Sequence, residues 1–124
     1  MPRASIGFER TLVCPQCESP RCTEAVTQSW QPGGFWVSYS VACPDCDHCL
    51  EADGRELSDL DRAEMLERFG HFDPRDIDAT PVELARALSR LFNTPAVDAL
   101  RALREGWTLT NVEYAALREE LSGG

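Results

Sequence analysis

Between two cysteine-rich turns, apolar and polar residues alternate with the two-residue period of a half-buried strand. Phe35, Val37, Tyr39 and Val41 fall on one face, and Trp36, Ser38, Ser40 and Ala42 on the other. Upstream, residues 23–30 are rich in strand formers, and the intervening Gln31-Pro32-Gly33-Gly34 is a turn signal. This pattern predicts a β-hairpin. Residues 10–13 read as a short extended approach to the first cysteine turn, and residues 50–52 as a short third strand.

Beyond residue 56 the apolar period lengthens to that of helices. Ser58, with Asp61 three residues on, marks a helix start. Leu57, Leu60, Leu66 and Phe69 then form a stripe that ends at Gly70. An acidic, proline-broken linker covers residues 71–79. Three further starts follow at Thr80-Pro81, Thr94-Pro95 and Thr110, with Glu83, Asp98 and Glu113 as acidic partners. A threonine N-cap followed by proline at the first helical position is a strong helix-start signal. The predicted helices cover residues 81–92, 95–105 and 111–121. Their stripes are Leu84, Leu88, Leu91 and Phe92; Val97, Leu100 and Leu103; and Val112, Ala116, Leu117 and Leu121. Gly106 closes the third predicted helix, and Trp107 with Leu109 suggests a short extended bridge. The fold class expected is α+β: a small β-hairpin or three-stranded sheet over 1–55, then about four short helices over 56–124.

The cysteines change this picture. Cys14-Pro15-Gln16-Cys17 and Cys43-Pro44-Asp45-Cys46 each place two sulfurs one tight turn apart, with the hairpin between them. Four thiolates gathered in this way form the closed tetrahedral shell of structural Zn²⁺, at Zn–S distances of about 2.3 Å. A 124-residue chain has length for one domain or two very small ones. In the smaller one, metal binding would supply folding energy that hydrophobic burial does not. The two C-P-x-C knuckles and the strands between them resemble the zinc-ribbon superfamily over roughly the first 50 residues. Where that family places glycine after the second cysteine of a knuckle, this chain has Glu18 and Asp47. The resemblance implies a four-cysteine zinc site made by Cys14, Cys17, Cys43 and Cys46.

Cys22 and Cys49 are left over. They read as small side chains flanking the site, with replacement of a knuckle sulfur as the alternative. Cys43, Cys46 and Cys49 match the first three positions of a ferredoxin run, but Asp53-Gly54 stands beyond them where the fourth cysteine and its proline belong. His48 lies beside the second knuckle as a possible ligand or second-layer donor, outcompeted by four better-spaced sulfurs. His71 has no partner at ligand spacing. Both are expected to be ordinary surface residues.

All twelve basic residues are arginine, against 21 acids, for a net charge of −9. Residues 51–79 hold 4 arginines and 10 acids, a net −6. Such a chain repels phosphate backbones and favours a basic protein partner. The aromatic group Trp30, Phe35, Trp36 and Tyr39 would suit base stacking. Between the knuckles, however, only Arg21 is basic, and Glu24 offsets it. Interface anchoring is the better functional reading for these rings. The N-terminal stretch from Met1 to Phe8 has no apolar run of signal-peptide type, and no segment has the length and apolarity of a membrane span. Reduced cysteines in the cytoplasm are therefore expected.

The segment around residues 83–105 has a weak likeness to a helix-turn-helix. Residues 85–124 are weakly similar to the helical part of the ribosomal stalk protein's C-terminal domain. In the first case Asp98 and Glu105 sit beside Arg101 and Arg104 on the helix that would read DNA, which disfavours that role. No catalytic constellation is present: there is no paired histidine, no glycine-rich phosphate loop and no nucleophile motif. The expectation is a non-enzymatic, zinc-stiffened interaction protein of inhibitor, immunity or regulatory type that meets a basic partner. A nucleic-acid-binding or transcription-accessory zinc ribbon is the alternative. The acidic face expected to meet the partner comprises Asp59, Asp61, Glu64 and Glu67.

Overall fold

The computed structural model describes residues 4–31 and 33–123. Pro32, in the predicted hairpin turn, and residues 1–3 of the N-terminal stretch lie outside them. The chain divides into two compact units, residues 1–63 and 64–124, and the division falls inside a helix, a little beyond the boundary expected near residue 55.

The first unit is a four-stranded antiparallel sheet in the order β1-β2-β3-β4, with β1 at Ala4–Leu12, β2 at Cys22–Gln31, β3 at Gly34–Ala42 and β4 at Cys49–Gly54. The predicted hairpin is its centre, β2 against β3, from Thr23↔Ala42 to Gln31↔Gly34. Two elements are longer than expected. The extended approach is a nine-residue strand paired with β2 from Cys22 to Trp30, and the short third strand is six residues long. Gly7 explains part of the close fit of β1. A Cβ there would sit 2.7 Å from Thr27 Oγ1 and 2.9 Å from the Val26 carbonyl.

Alternation sorts the sheet into two faces, as strand geometry requires. Phe8, Val26, Gln28, Trp30, Phe35 and Val37 occupy one face and are all buried, with Tyr39 and Val41 half-buried beside them. The opposite face carries Ser38, Ser40, Glu51 and Asp53, all exposed.

Helix α1 (Asp59–Phe69) begins where expected, with the Asp61 N–H donating to Ser58 Oγ at 3.1 Å. The expected stripe is not its buried face. Leu60 is 72 % exposed and Phe69 37 %, whereas Asp61 is 1 % and Met65 0 % exposed. The cause is electrostatic. Arg10 on β1 reaches Asp61 Oδ1 at 2.7 Å and Glu24 Oε2 at 2.9 Å, so a buried carboxylate has its counter-ion. These two acids hold the Arg10 guanidinium firmly in its charged form, Glu24 most strongly. Asp61 is therefore not part of an exposed acidic face, and Glu24 is matched by Arg10 rather than by Arg21.

The second unit packs α2 (Pro81–Phe92), α3 (Ala96–Glu105) and α4 (Asn111–Gly123) around Leu84, Leu88, Ala99, Leu103, Leu109 and Leu117. Two capping boxes form as predicted. Thr80 and Glu83 exchange bonds of 3.1 and 3.3 Å, and Thr110 and Glu113 bonds of 3.2 and 3.0 Å. Thr94 does not cap α3; Pro95 stands at that position without a side-chain bond. Instead the Thr94 N–H donates to the Ser89 carbonyl at 3.1 Å and the Ser89 hydroxyl donates to the Thr94 carbonyl, so Thr94 completes the end of α2. Asn93 between them takes the left-handed conformation, φ 51°. Val97 is 65 % exposed because the buried face of α3 follows Ala99 and Leu103, one turn apart. The linker contains a 3-10 turn, Pro74–Asp76, and Phe72 bridges Leu109 in the expected extended piece.

Removing a buried charge partner leaves the other charge uncompensated. Arg10→Ala, which leaves the buried Asp61 without its cation, is expected to lower unfolding free energy by about 3 kcal/mol. Asp59→Ala, which removes an exposed acid of α1, should change it by no more than about 0.5 kcal/mol. Chemical denaturation of both variants checks this.

Candidate metal centre

The centre is built at one end of the sheet. The first knuckle turns β1 into β2, and the second turns β3 into β4. Strand pairing brings the two turns together because Leu12 stands opposite Cys22, Thr23 opposite Ala42, and Ala42 opposite Cys49.

The sulfurs of Cys14, Cys17, Cys43 and Cys46 all lie within 4.8 Å of one another. Across the knuckles, Cys14 Sγ is 3.8 Å from Cys46 Sγ and Cys17 Sγ is 3.5 Å from Cys43 Sγ. A tetrahedral ion with metal–sulfur bonds of about 2.3 Å needs sulfurs about 3.8 Å apart. The four predicted ligands therefore form a group that can hold a metal ion. Cys14 and Cys43 face inward, while Cys17 is exposed.

Backbone amides prepare the sulfurs. The N–H groups of Cys17 and Gln16 point at Cys14 Sγ at 3.5 and 3.4 Å, and they pull this thiol down to about 6. At Cys46 the His48 N–H, at 3.4 Å, also pulls down, but burial and the neighbouring sulfurs of Cys17, Cys43 and Cys14 outweigh it and hold the thiol up at about 12. Four sulfurs this close resist becoming thiolates together, and a cation among them removes that repulsion.

Glu18 shows how the first knuckle closes without a glycine after its second cysteine. It adopts φ 63°, the left-handed region that glycine favours, and its N–H returns to the Cys14 carbonyl at 2.9 Å. Asp47 has no such conformation, so only the first knuckle uses it.

The leftover residues separate. Cys22 is wholly buried against Cys14 and Cys43, as a flanking side chain should be; burial pushes its thiol up. Cys49 is exposed on β4 and lies outside the cluster. The His48 ring is not among the four ligands. Its Nδ1 meets Gln16 Oε1 at 3.1 Å, joining the knuckles at their rims. His71 is an exposed residue of the other unit. Trp30 and Phe35 are buried, and Trp36 lies under Arg55, whose guanidinium carbon is 3.9 Å from the ring centre, so these aromatics form no open stacking platform.

A clasp between the knuckles goes beyond the sequence expectations. Asp45, inside the second knuckle, accepts hydrogen bonds from the Ser19 hydroxyl and from Arg21, whose Nε is 3.0 Å away. Arg21 and then Ser19 hold this carboxyl down at about 2. The clasp crosses from one knuckle to the other and orients two turns that supply ligands. Its sequence signal is slight: a basic residue after one knuckle and an acid within the other.

Loss of a residue that orients ligands typically weakens metal binding by about 10–100-fold. Asp45→Asn should weaken metal binding ~10-fold in a chelator competition, while Asp47→Asn leaves it unchanged. Because the Asp45 carboxyl lies below its ordinary value in the folded chain, the clasp contributes fully above about pH 4 and is lost as pH falls towards 2.

No family model, curated protein or solved structure matches this chain.

Proposed function

We propose that this chain is a non-catalytic zinc-binding protein-interaction module, an acidic protein of inhibitor, immunity or regulatory type that engages a basic protein partner. The observation that carries the reading is the four-sulfur cluster. Four protein ligands fill a tetrahedral shell and leave no position for water or substrate, which favours a structural role for the ion. Zn²⁺ suits this set best, being content with tetrahedral thiolates and without redox chemistry of its own. Six free cysteines fit a reducing setting such as the cytoplasm. Among the described residues no helix is long and apolar enough to cross a membrane.

Charge supports the partner's chemistry. Of the twelve arginines, Arg10, Arg21, Arg68, Arg75, Arg90 and Arg101 each form an ion pair with an acid of this chain. At least half of the positive charge is thus matched internally, which disfavours phosphate binding and leaves acids in excess. Asp59, Glu67, Asp76 and Asp78 are exposed and face solvent. Complementary charge of this kind accelerates encounter and selects partners.

Elemental analysis should find one zinc per chain, and Cys43→Ser should abolish it and loosen the sheet, because the binding energy is also folding energy. The capped helices after Thr80 should keep most of their circular-dichroism signal in that variant. Iron with acid-labile sulfide in place of zinc would overturn the assignment. For the partner, capture from the native host followed by binding kinetics is the measurement. Raising salt should slow association more than it speeds dissociation. The double variant Asp59→Arg/Glu67→Arg should slow association without loss of thermal stability, whereas tighter binding of that variant to a random oligonucleotide, with unchanged partner kinetics, would favour the nucleic-acid reading.

A further inference from the structure

Strand β4 ends the sheet, so one side of it has no hydrogen-bonding neighbour among the described residues. All six of its residues, Cys49–Gly54, are exposed. In an antiparallel pair only alternate residues direct both backbone groups at the partner strand; the residues between them aim theirs outward. An open edge of this kind is a template for another strand.

Two common protections are missing here. β4 contains no proline, and no bulge interrupts its register from Val37↔Gly54 to Ala42↔Cys49. What it carries is charge. Glu51 and Asp53 share one face opposite Ser40 and Ser38, while Leu50 and Ala52 on the other face stand opposite Val41 and Tyr39. Asp47 precedes the strand and Glu56 follows it, both exposed. Arg55 is the one cation of residues 45–56, and it is engaged: it stacks on Trp36, and its Nη1 donates to the Gly33 carbonyl at 2.9 Å.

This charge selects among occupants. A second copy of β4 paired antiparallel about Ala52 would set Glu51 directly opposite Asp53 at both ends of the contact, and like charges opposite one another are destabilising. A basic strand would meet the same positions with opposite charge. We propose that the outer edge of β4 is a docking site for an extended basic segment of a partner protein, added as a fifth strand. Its alternate Arg or Lys side chains would face Glu51 and Asp53, and its apolar side chains would meet Leu50 and Ala52. The inference rests on the reading above that the partner is basic, and it names where and how the partner binds. The second knuckle is the β3–β4 connection, so the metal site also holds this edge in place.

The test uses the full zinc-loaded chain, titrated with the heptapeptide Arg-Val-Arg-Val-Arg-Val-Arg and followed by amide NMR. A second heptapeptide of the same sequence, N-methylated at every amide, has the same charge but no strand donors. The expected result is slowed hydrogen exchange at alternate β4 amides with the first peptide and at least ~10-fold weaker binding of the second. Glu51→Gln/Asp53→Asn should weaken the first peptide to a similar degree while leaving the spectrum of the free protein folded. Equal binding of both peptides, or protection at β1 instead of β4, would overturn strand addition and leave the basic-partner reading standing. Failure of both peptides to bind would overturn both readings.

Discussion

The first unit depends on one geometric constraint: four sulfurs must meet although they come from two turns far apart in sequence. Each turn closes a pair of strands, β1 with β2 and β3 with β4, and both lie at the same end of the sheet. An ion held there ties two hairpins across the central β2–β3 pair, where backbone bonds alone would have to align four strands. Around the sulfurs, neutral and charged hydrogen bonds do separate work. Amide N–H groups stabilise negative sulfur at Cys14, while Asp45, Ser19 and Arg21 hold one turn against the other.

Away from the sulfurs, the unit combines the buried apolar face of the sheet with a charge triad. Arg10 lies between Glu24 on β2 and Asp61 on α1, so strand and helix share a single guanidinium. Asp61 Oδ2 has no hydrogen-bond partner among the described residues, which makes the site costly to build and sensitive to loss of Arg10. The second unit follows a different rule. It is an apolar core closed by two capping boxes and by tilted aromatic pairs, Phe72 with Tyr114 and Phe92 with Trp107, with ring centres 5.2 and 5.3 Å apart.

Features with a local cause were legible in the sequence. The hairpin, the cysteine group, the start of α1 and the Thr80 and Thr110 caps all depend on residues within a few positions of one another, or on a repeated motif. Features decided by distant partners were not. Nothing near Asp61 marks it as buried where Asp59 is exposed, because Arg10 makes that difference from strand β1. The length of β1 was hidden because its apolar positions, Ile6, Phe8 and Leu12, are interrupted by Arg10, which faces the same side for an ionic reason. At Thr94 a correct local signal lost to a competing local bond, with the hydroxyl of Ser89. Arg21 and Asp45 lie 24 residues apart, beyond the reach of any spacing rule applied within a knuckle.

The placement of both knuckles at one end of the sheet has a consequence for folding fidelity. Sliding β3 by one residue against β2 would send Val37 and Phe35 to the polar face and shift the second knuckle along the first. The sulfurs would then no longer enclose a common point. An ion that demands four ligands at nearly equal distance would reject such mispairings even where the strands themselves tolerate them, so a metal-loaded centre would proofread strand alignment as well as brace it.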